Sequence, residues 1–153
     1  MFKVIRIEKN SEYHSLLLDF VKKCSWEDAK EHIAWMIENW VFTDWEAVFA
    51  ALSDEKIVGM CSIMKTDYYP QPDIFPWISS VYVDDKYRGH RISGMLVDFA
   101  NNYAVSQGFS KTYIPTEYVG LYEKYGYRYL TDITNYGGGT DRLLVKEFSN
   151  ITP

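Results

Sequence analysis

The stretch Val81-Tyr82-Val83-Asp84-Asp85-Lys86-Tyr87-Arg88-Gly89-His90-Arg91-Ile92-Ser93-Gly94 constrains this chain more than any other. Three residues of strand type lead into a charged turn that carries one glycine, and apolar positions then return at helical spacing. Ile92, Leu96, Phe99 and Tyr103 are four, three and four residues apart, the stripe of a helix with one buried face. A strand that runs through a glycine turn into a helix gathers backbone N–H groups at one point. Those donors, the helix dipole and the guanidinium groups of Arg88 and Arg91 suit a phosphate-bearing ligand; the alternative reading of the segment alone is a solvated turn with surface arginines.

The rest of the chain supplies a sheet and helices around that unit. Val4 to Glu8 reads as a strand. Ser11 to Lys23 reads as a helix capped by Ser11, with Leu16, Leu17, Phe20 and Val21 as its apolar stripe. A second helix is expected over Trp26 to Trp40, with Ser25 as a cap and Trp26, Ile33, Trp35, Met36, Ile37 and Trp40 as an aromatic stripe that packs in the core or else makes a binding face. Glu46 to Leu52 and Ile57 to Lys65 read as two strands joined by a polar turn, with Gly59 as a bulge or close-packing point. Pro70, Pro72 and Pro76 keep residues 67–76 irregular, and Trp77 to Val83 follows as a strand. Beyond the helix that Gly108 terminates, Lys111 to Pro115 reads as a strand and Val119 to Tyr125 as a short helix closed by Gly126. Tyr127 to Thr134 and Arg142 to Phe148 are the last strands, with a flexible loop between them. The order β-α-α-β-β-β-α-β-α-β-β is an α+β plan around one sheet.

Composition narrows the function classes. A chain of 153 residues with 47% hydrophobic and 24% charged residues is expected to be one ordered domain, 1–153. A net charge of −5 argues against a nucleic-acid partner bound through a basic face. No apolar run approaches the ~20 residues of a membrane span, and Met1 to Glu8 has no signal-peptide pattern, so a cytoplasmic protein is expected. Cys24 and Cys61 stand in unrelated contexts and read as reduced core thiols. His14, His32 and His90 lack metal-ligand spacing, so no metal is expected; His14 and His32 are placed on solvated faces, and His90 in the turn is set to contact phosphate. Five Trp, thirteen Tyr and eight Phe suit either a small aromatic core or an aromatic-walled pocket.

A second segment carries chemistry. In Leu121-Tyr122-Glu123-Lys124-Tyr125-Gly126-Tyr127 a short helix ends at a glycine before a strand. Tyr122 is either a core residue or a proton donor, since a phenol with a pKa near ~10 is protonated at neutral pH. Taken in order and at their spacing, Val83 to Ile92 and Leu121 to Tyr127 resemble the GNAT superfamily of acetyl-CoA-dependent N-acetyltransferases. The first segment is similar to its pyrophosphate motif V-x-P-x-x-R-G-x-G-I-G, the second to its L-Y-x-K-x-G-F motif.

The resemblance implies an α/β sandwich: a mixed, mostly antiparallel sheet of six to seven strands flanked by about four helices. It implies acetyl-CoA as cofactor, with Val81, Tyr82 and Val83 along the pantetheine and Arg88, Gly89, His90, Arg91, Ile92, Ser93 and Gly94 around the pyrophosphate. Tyr122 stands where the family places the acid that protonates the departing thiolate. The general base is open: Glu117 is the first candidate, Asp67 and Asp73 are others, and Glu117 also suits the N-terminus of the helix that follows it. Arg91 and Ser93 occupy family glycine positions, which is expected to require helical dihedrals there. The implied function is acetyl transfer to a primary amine of a small molecule or peptide, in a monomer or homodimer. Two alternatives are a CoA-binding regulatory domain without turnover and a nucleotide-phosphate binder using the same turn.

Overall fold

The computed structural model describes residues 1–148. Its elements are β1 (Phe2–Arg6), α1 (Glu12–Lys22), α2 (Lys30–Glu38), β2 (Ala47–Ser53), β3 (Lys56–Met64), β4 (Trp77–Val83), α3 (Ile92–Ser106), β5 (Lys111–Thr116), β6 (Arg128–Thr134) and β7 (Thr140–Glu147). Two 3₁₀ turns, Asp85–Tyr87 and Tyr122–Tyr125, complete the order. The strands form one seven-stranded sheet in the order β1-β2-β3-β4-β5-β7-β6. The α+β plan and the mostly antiparallel sheet are as expected. The described residues hold three α-helices rather than about four. The missing one is the segment after β5, where Gly120 sits at φ +91 and stops helix growth before the single turn that starts at Tyr122.

Two compact units divide the chain. The first holds residues 1–62 and 80–96. Here β1 pairs antiparallel with β2, Val4 opposite Ala51. Six successive residues of β2, Ala47 to Leu52, are buried, so the strand has cover on both faces. Ser11 caps α1 as expected, its hydroxyl accepting from the His14 N–H at 3.3 Å. Leu17 and Val21 are buried, whereas Leu16 from the expected stripe is exposed. His14 is not on a solvated face: its Nε2 lies 2.7 Å from the Ile37 carbonyl and its ring packs on Trp40.

The second helix begins four residues later than expected. Ser25 does not cap it, because its N–H donates to the Tyr82 hydroxyl at 3.1 Å and its Oγ lies 3.0 Å from the same oxygen. Ala29 takes the cap position with no side-chain bond. Ile33, Ala34 and Ile37 form the buried face of α2, while Trp35 is 54% exposed and stacks on His32. The expected aromatic core stripe is therefore an aliphatic one. Gly59 is a close-packing point: a Cβ there would sit 3.0 Å from the Tyr82 carbonyl and 3.2 Å from Leu96 Cδ1.

The second unit holds residues 63–79 and those from 97 onward. Antiparallel β5–β7 and β7–β6 ladders are joined to β4 by a parallel step that sets Trp77 opposite Tyr113. Trp77, Tyr113, Ile133, Leu143 and Val145 form one buried cluster. A buried network ties α3 to β5: the Thr112 hydroxyl donates to Asn101 Oδ1 at 2.7 Å, and Tyr127 Oη joins both. The β6–β7 connection is not a loose loop. Asn135 Oδ1 accepts from the N–H groups of Gly137 and Gly139, and its own N–H donates to the Gly139 carbonyl.

Candidate acyl-transfer site

Strand β4 is followed by Asp84, whose side chain accepts from the Lys86 N–H and whose N–H donates to the Val58 carbonyl. After the 85–87 turn the backbone turns left-handed twice, at Gly89 (φ +87) and Arg91 (φ +60), and then enters α3. The ladder of α3 opens with Met95 N–H donating to the Arg91 carbonyl at 3.1 Å. The amino end of this fifteen-residue helix therefore follows directly on two left-handed residues, an arrangement that turns successive N–H groups toward one concavity. A Cβ at Gly89 would have nothing within 4 Å, so the space over the turn is open.

The side chains of the turn are less uniform than the backbone. Arg88 is paired with Asp85 at 2.8 Å, and its Nε donates to the Val83 carbonyl at 3.3 Å. Its guanidinium braces the turn it sits in. The His90 ring packs on Phe2, centroids 5.6 Å apart, and Tyr87 meets the same phenyl edge-on. Arg91 overturns one expectation: a side chain at that glycine position has a left-handed backbone, not a helical one. The entry to α3 demands the positive φ whatever residue is there, at a cost of about 1–2 kcal/mol for a non-glycine.

Ser80 is another non-glycine residue with a left-handed backbone, at φ +54 inside β4. A positive φ in a strand interrupts the pleat, and such strain clusters at functional sites. No feature of the sequence marks it, since serine has no preference for that region. Beside it, the Ser79 hydroxyl donates a short hydrogen bond to Asp67 Oδ2. Asp67 Oδ1 accepts from the Tyr68 N–H at 2.6 Å. Two residues on, Tyr69 stacks flat on Trp77 and donates to Asp141 Oδ2 at 2.6 Å. Burial first, then that bond and the charges of Asp141 and Asp67, hold the Tyr69 phenol well above its ordinary range.

Tyr122 opens the second 3₁₀ turn and is buried, between the rings of Tyr125 and Tyr127. Gly126 closes the turn at φ +93, as its place after Tyr125 predicts. The turn is pinned from outside. Glu123 Oε1 accepts from the Gly120 N–H at 3.1 Å, its Oε2 pairs with Arg142 at 3.2 Å, and Arg142 donates to the Tyr118 carbonyl at 2.7 Å. Hydrogen bonds within the turn, then Arg142, hold the Glu123 carboxyl below its usual range. Glu117, just past β5, is exposed and stands well before the 122–125 turn, so it is not the N-terminal carboxylate of a helix.

A family model described as an acetyltransferase (GNAT) domain matches residues 44–129, over half of the chain. The chain belongs to the GNAT acetyltransferase family. Among solved structures, the aminoglycoside 6'-N-acetyltransferase from Enterococcus faecium is similar over 99% of both chains, at TM-score 0.73 and 16% identity. An aminoglycoside 6'-N-acetyltransferase complexed with coenzyme A has the same TM-score, coverage and identity. An acetyltransferase from Streptococcus agalactiae is similar over 96% of this chain and 98% of its own, at TM-score 0.68 and 21% identity. At these identities the likeness is one of fold. No curated protein is a significant match.

As a GNAT member the protein is an acetyl-CoA-dependent acyltransferase. The turn fits the cofactor's pyrophosphate: open space over Gly89, two left-handed residues and a long helix's amino end suit an anion held by backbone donors. Within the first unit, β4 and the turn bring Tyr82, Val83 and residues 88–94 into one continuous segment. A cavity of about 370 Å³ also opens there, between the end of α1, the β2–β3 turn and the end of β4, with Phe20, Lys23, Lys56, Tyr82 and Asp84 in its wall. The second unit brings Asp67, Ser79, Tyr69 and Asp141 together. Sequence reasoning missed that grouping and the Glu123–Arg142 clasp, because both join residues far apart in the chain. Among the described residues no cluster of His, Cys, Asp or Glu is arranged to hold a metal, and no helix is long and apolar enough to cross a membrane.

Proposed function

We propose that the chain, 1–153, is one N-acetyltransferase domain that moves an acetyl group to a primary amine of a small molecule. The observation that carries this reading is the continuous run from β4 through Gly89 and Arg91 into α3, whose backbone suits a pyrophosphate beside a half-buried strand segment. Three of the similar structures bear the name of aminoglycoside acetyltransferases, which supports a small amine as acceptor.

Acetyl-CoA supplies an activated acetyl thioester. In this reading the chain's own residues do three things. The backbone of residues 88–94 takes the charge of the pyrophosphate, with Arg91 adding a cation. The backbone of Val81, Tyr82 and Val83 aligns the pantetheine and presents donors to the carbonyl oxygen. Tyr122 gives its phenolic proton to the departing sulfur, a transfer that needs no strong acid because a thiol is itself only a weak one, with a pKa near ~8.5. For the base, Glu117 is the exposed carboxylate nearest the end of β5 and Asp67 is the one tied to β4.

Isothermal titration with acetyl-CoA, followed by an amine panel read by thiol release, tests the reading. Binding with turnover of at least one primary amine is the expected result; no heat and no thermal shift at millimolar acetyl-CoA overturns it. Tyr122→Phe is expected to lower kcat about 10- to 100-fold with little change in acetyl-CoA affinity. An unchanged kcat across pH removes Tyr122 as the acid.

A further inference from the structure

Two left-handed residues, Gly89 and Arg91, shape the turn before α3, and His90 stands between them. Glycine leaves that backbone region at no steric cost, and arginine gains by leaving it. Such a turn keeps one shape only where its surroundings over-determine it. Part of the constraint is local. Ahead of the turn, Arg88 is tied to Asp85 and to the Val83 carbonyl; behind it, the Arg91 carbonyl accepts from the Met95 N–H. Between those ties the His90 ring packs on a residue far off in the chain, Phe2 of β1, with centroids 5.6 Å apart and planes at 54°. The same phenyl meets Tyr87 edge-on, at 6.3 Å and 86°. One side chain therefore touches the turn on both sides of Arg88 and Gly89. Phe2 is itself held in place. It stands opposite Ser53 in the β1–β2 ladder, and the Met1 carbonyl before it accepts from the Asp54 N–H at 3.2 Å. Lys56, at the start of β3, sets its Nζ 5.7 Å from the centre of the Tyr87 ring. All of these residues belong to the first compact unit.

We propose that Phe2 is a positioning residue for the cofactor: its ring clamps Tyr87 and His90, and through them holds the 88–91 backbone in the shape that takes the pyrophosphate. In this arrangement the His90 ring serves as packing, and its imidazole makes no bond to the phosphates. The proposal rests on the reading above that places the pyrophosphate at residues 88–94. Backbone N–H groups already aimed at one concavity bind an anion without first losing conformational freedom. The clamp's contribution therefore belongs to cofactor affinity. Phe2 lies on β1, outside the 88–94 segment that meets the phosphates, so it acts only through the residues it touches. Aromatic contacts of this geometry are strong enough to change a binding constant by up to about tenfold.

The test is calorimetric titration of the full chain with coenzyme A, at a temperature well below the melting point of every variant. Phe2→Ala and His90→Ala are each expected to weaken binding about 5- to 10-fold. The double variant should fall within about twofold of either single one, because both remove the same contact. Phe2→Tyr and His90→Phe keep a ring on each side and should bind within about twofold of wild type. Phe2→Leu keeps apolar cover at the strand end should the alanine variant melt early, and it should still bind about threefold more weakly. Lys3→Ala, beside Phe2 and exposed, should match wild type. A second readout needs no ligand: ¹⁵N order parameters at residues 89–91 should fall in Phe2→Ala. Unchanged affinity in Phe2→Ala and Phe2→Leu, additive losses in the double variant, unmoved order parameters, or a loss in His90→Phe equal to that in His90→Ala overturns the proposal. Gly89→Asp, which sets a carboxylate over the turn, separates this from the reading beneath it. That variant should weaken binding by at least about tenfold. If it binds as wild type does, the placement of the pyrophosphate fails and the clamp with it; if it weakens binding while the Phe2 variants do not, the clamp alone fails.

Discussion

Arg91 stands at φ +60 where the family motif has glycine. The left-handed geometry costs an arginine about 1–2 kcal/mol, and glycine loses about 0.5–1 kcal/mol of chain entropy at any ordered position. Arg91→Gly should therefore leave stability within about 1 kcal/mol of wild type, read by thermal melting. If Arg91 exists for its charge, coenzyme A affinity should fall several-fold at low salt, and titration at ~0.5 M salt should bring the two proteins together. Gly59 is the opposite case. Its φ is ordinary, and what forbids a side chain is the Tyr82 carbonyl at 3.0 Å. Backbone cannot swing aside as a side chain end can, so Gly59→Ala should cost about 1–3 kcal/mol in denaturant unfolding. The expectation of a close-packing glycine was available from sequence, because an isolated glycine within a strand pattern has few other uses. The left-handed Ser80 was not available, because serine has no preference for that region.

At the scale of elements, the 118–125 segment shows how little of a local structure its own residues need to specify. A helix over Val119 to Tyr125 is the natural expectation, yet only Tyr122–Tyr125 closes as a turn. Gly120 and Gly126 both adopt positive φ and bound it. Glu123 and Arg142, nineteen residues apart, hold it in place. Arg142→Ala should speed hydrogen exchange across residues 118–125 and lower kcat several-fold, while acetyl-CoA affinity stays the same, since the substitution loosens the turn that carries Tyr122 and leaves the 88–94 turn untouched. The start of α2 teaches a similar lesson. Ser25 has the chemistry of a cap, but its hydroxyl meets Tyr82 and the helix starts later with a bare alanine. Capping propensity lost to a tertiary hydrogen bond fifty-seven residues away in sequence.

Among the described residues, burial favours the neutral forms of Cys61 and Tyr69. Burial pushes the Cys61 thiol far up, and burial, with Asp141 second, does the same to the Tyr69 phenol. In the unfolded chain these groups ionise near ~8.5 and ~10. Above each of those values the unfolded state sheds a proton that the folded state keeps, so it is favoured. The stability these groups contribute is present in full below ~8.5 and declines as pH rises past it, more steeply past ~10. Denaturant unfolding at pH 7, 8.5, 9.5 and 10.5 should show that decline, and Cys61→Ala should flatten its first segment.

By itself the sequence determined the order of the strands, the boundaries of β4 and the start of α3, and it carried the two motifs on which the family resemblance rests. The elements depend on apolar periodicity and on glycine, and both act within a few residues. It also placed Gly126 as a closing residue and Gly59 as a close-packing point. Only the tertiary structure decided that Ser25 serves Tyr82, that His14 braces Ile37 instead of facing water, that Arg88 spends its charge on Asp85, and that Asp67 reaches Ser79. The reason is physical. Periodicity reports which face of an element is buried, but a polar side chain chooses its partner from whatever donors and acceptors folding brings within about 3 Å, and most of those come from distant parts of the chain.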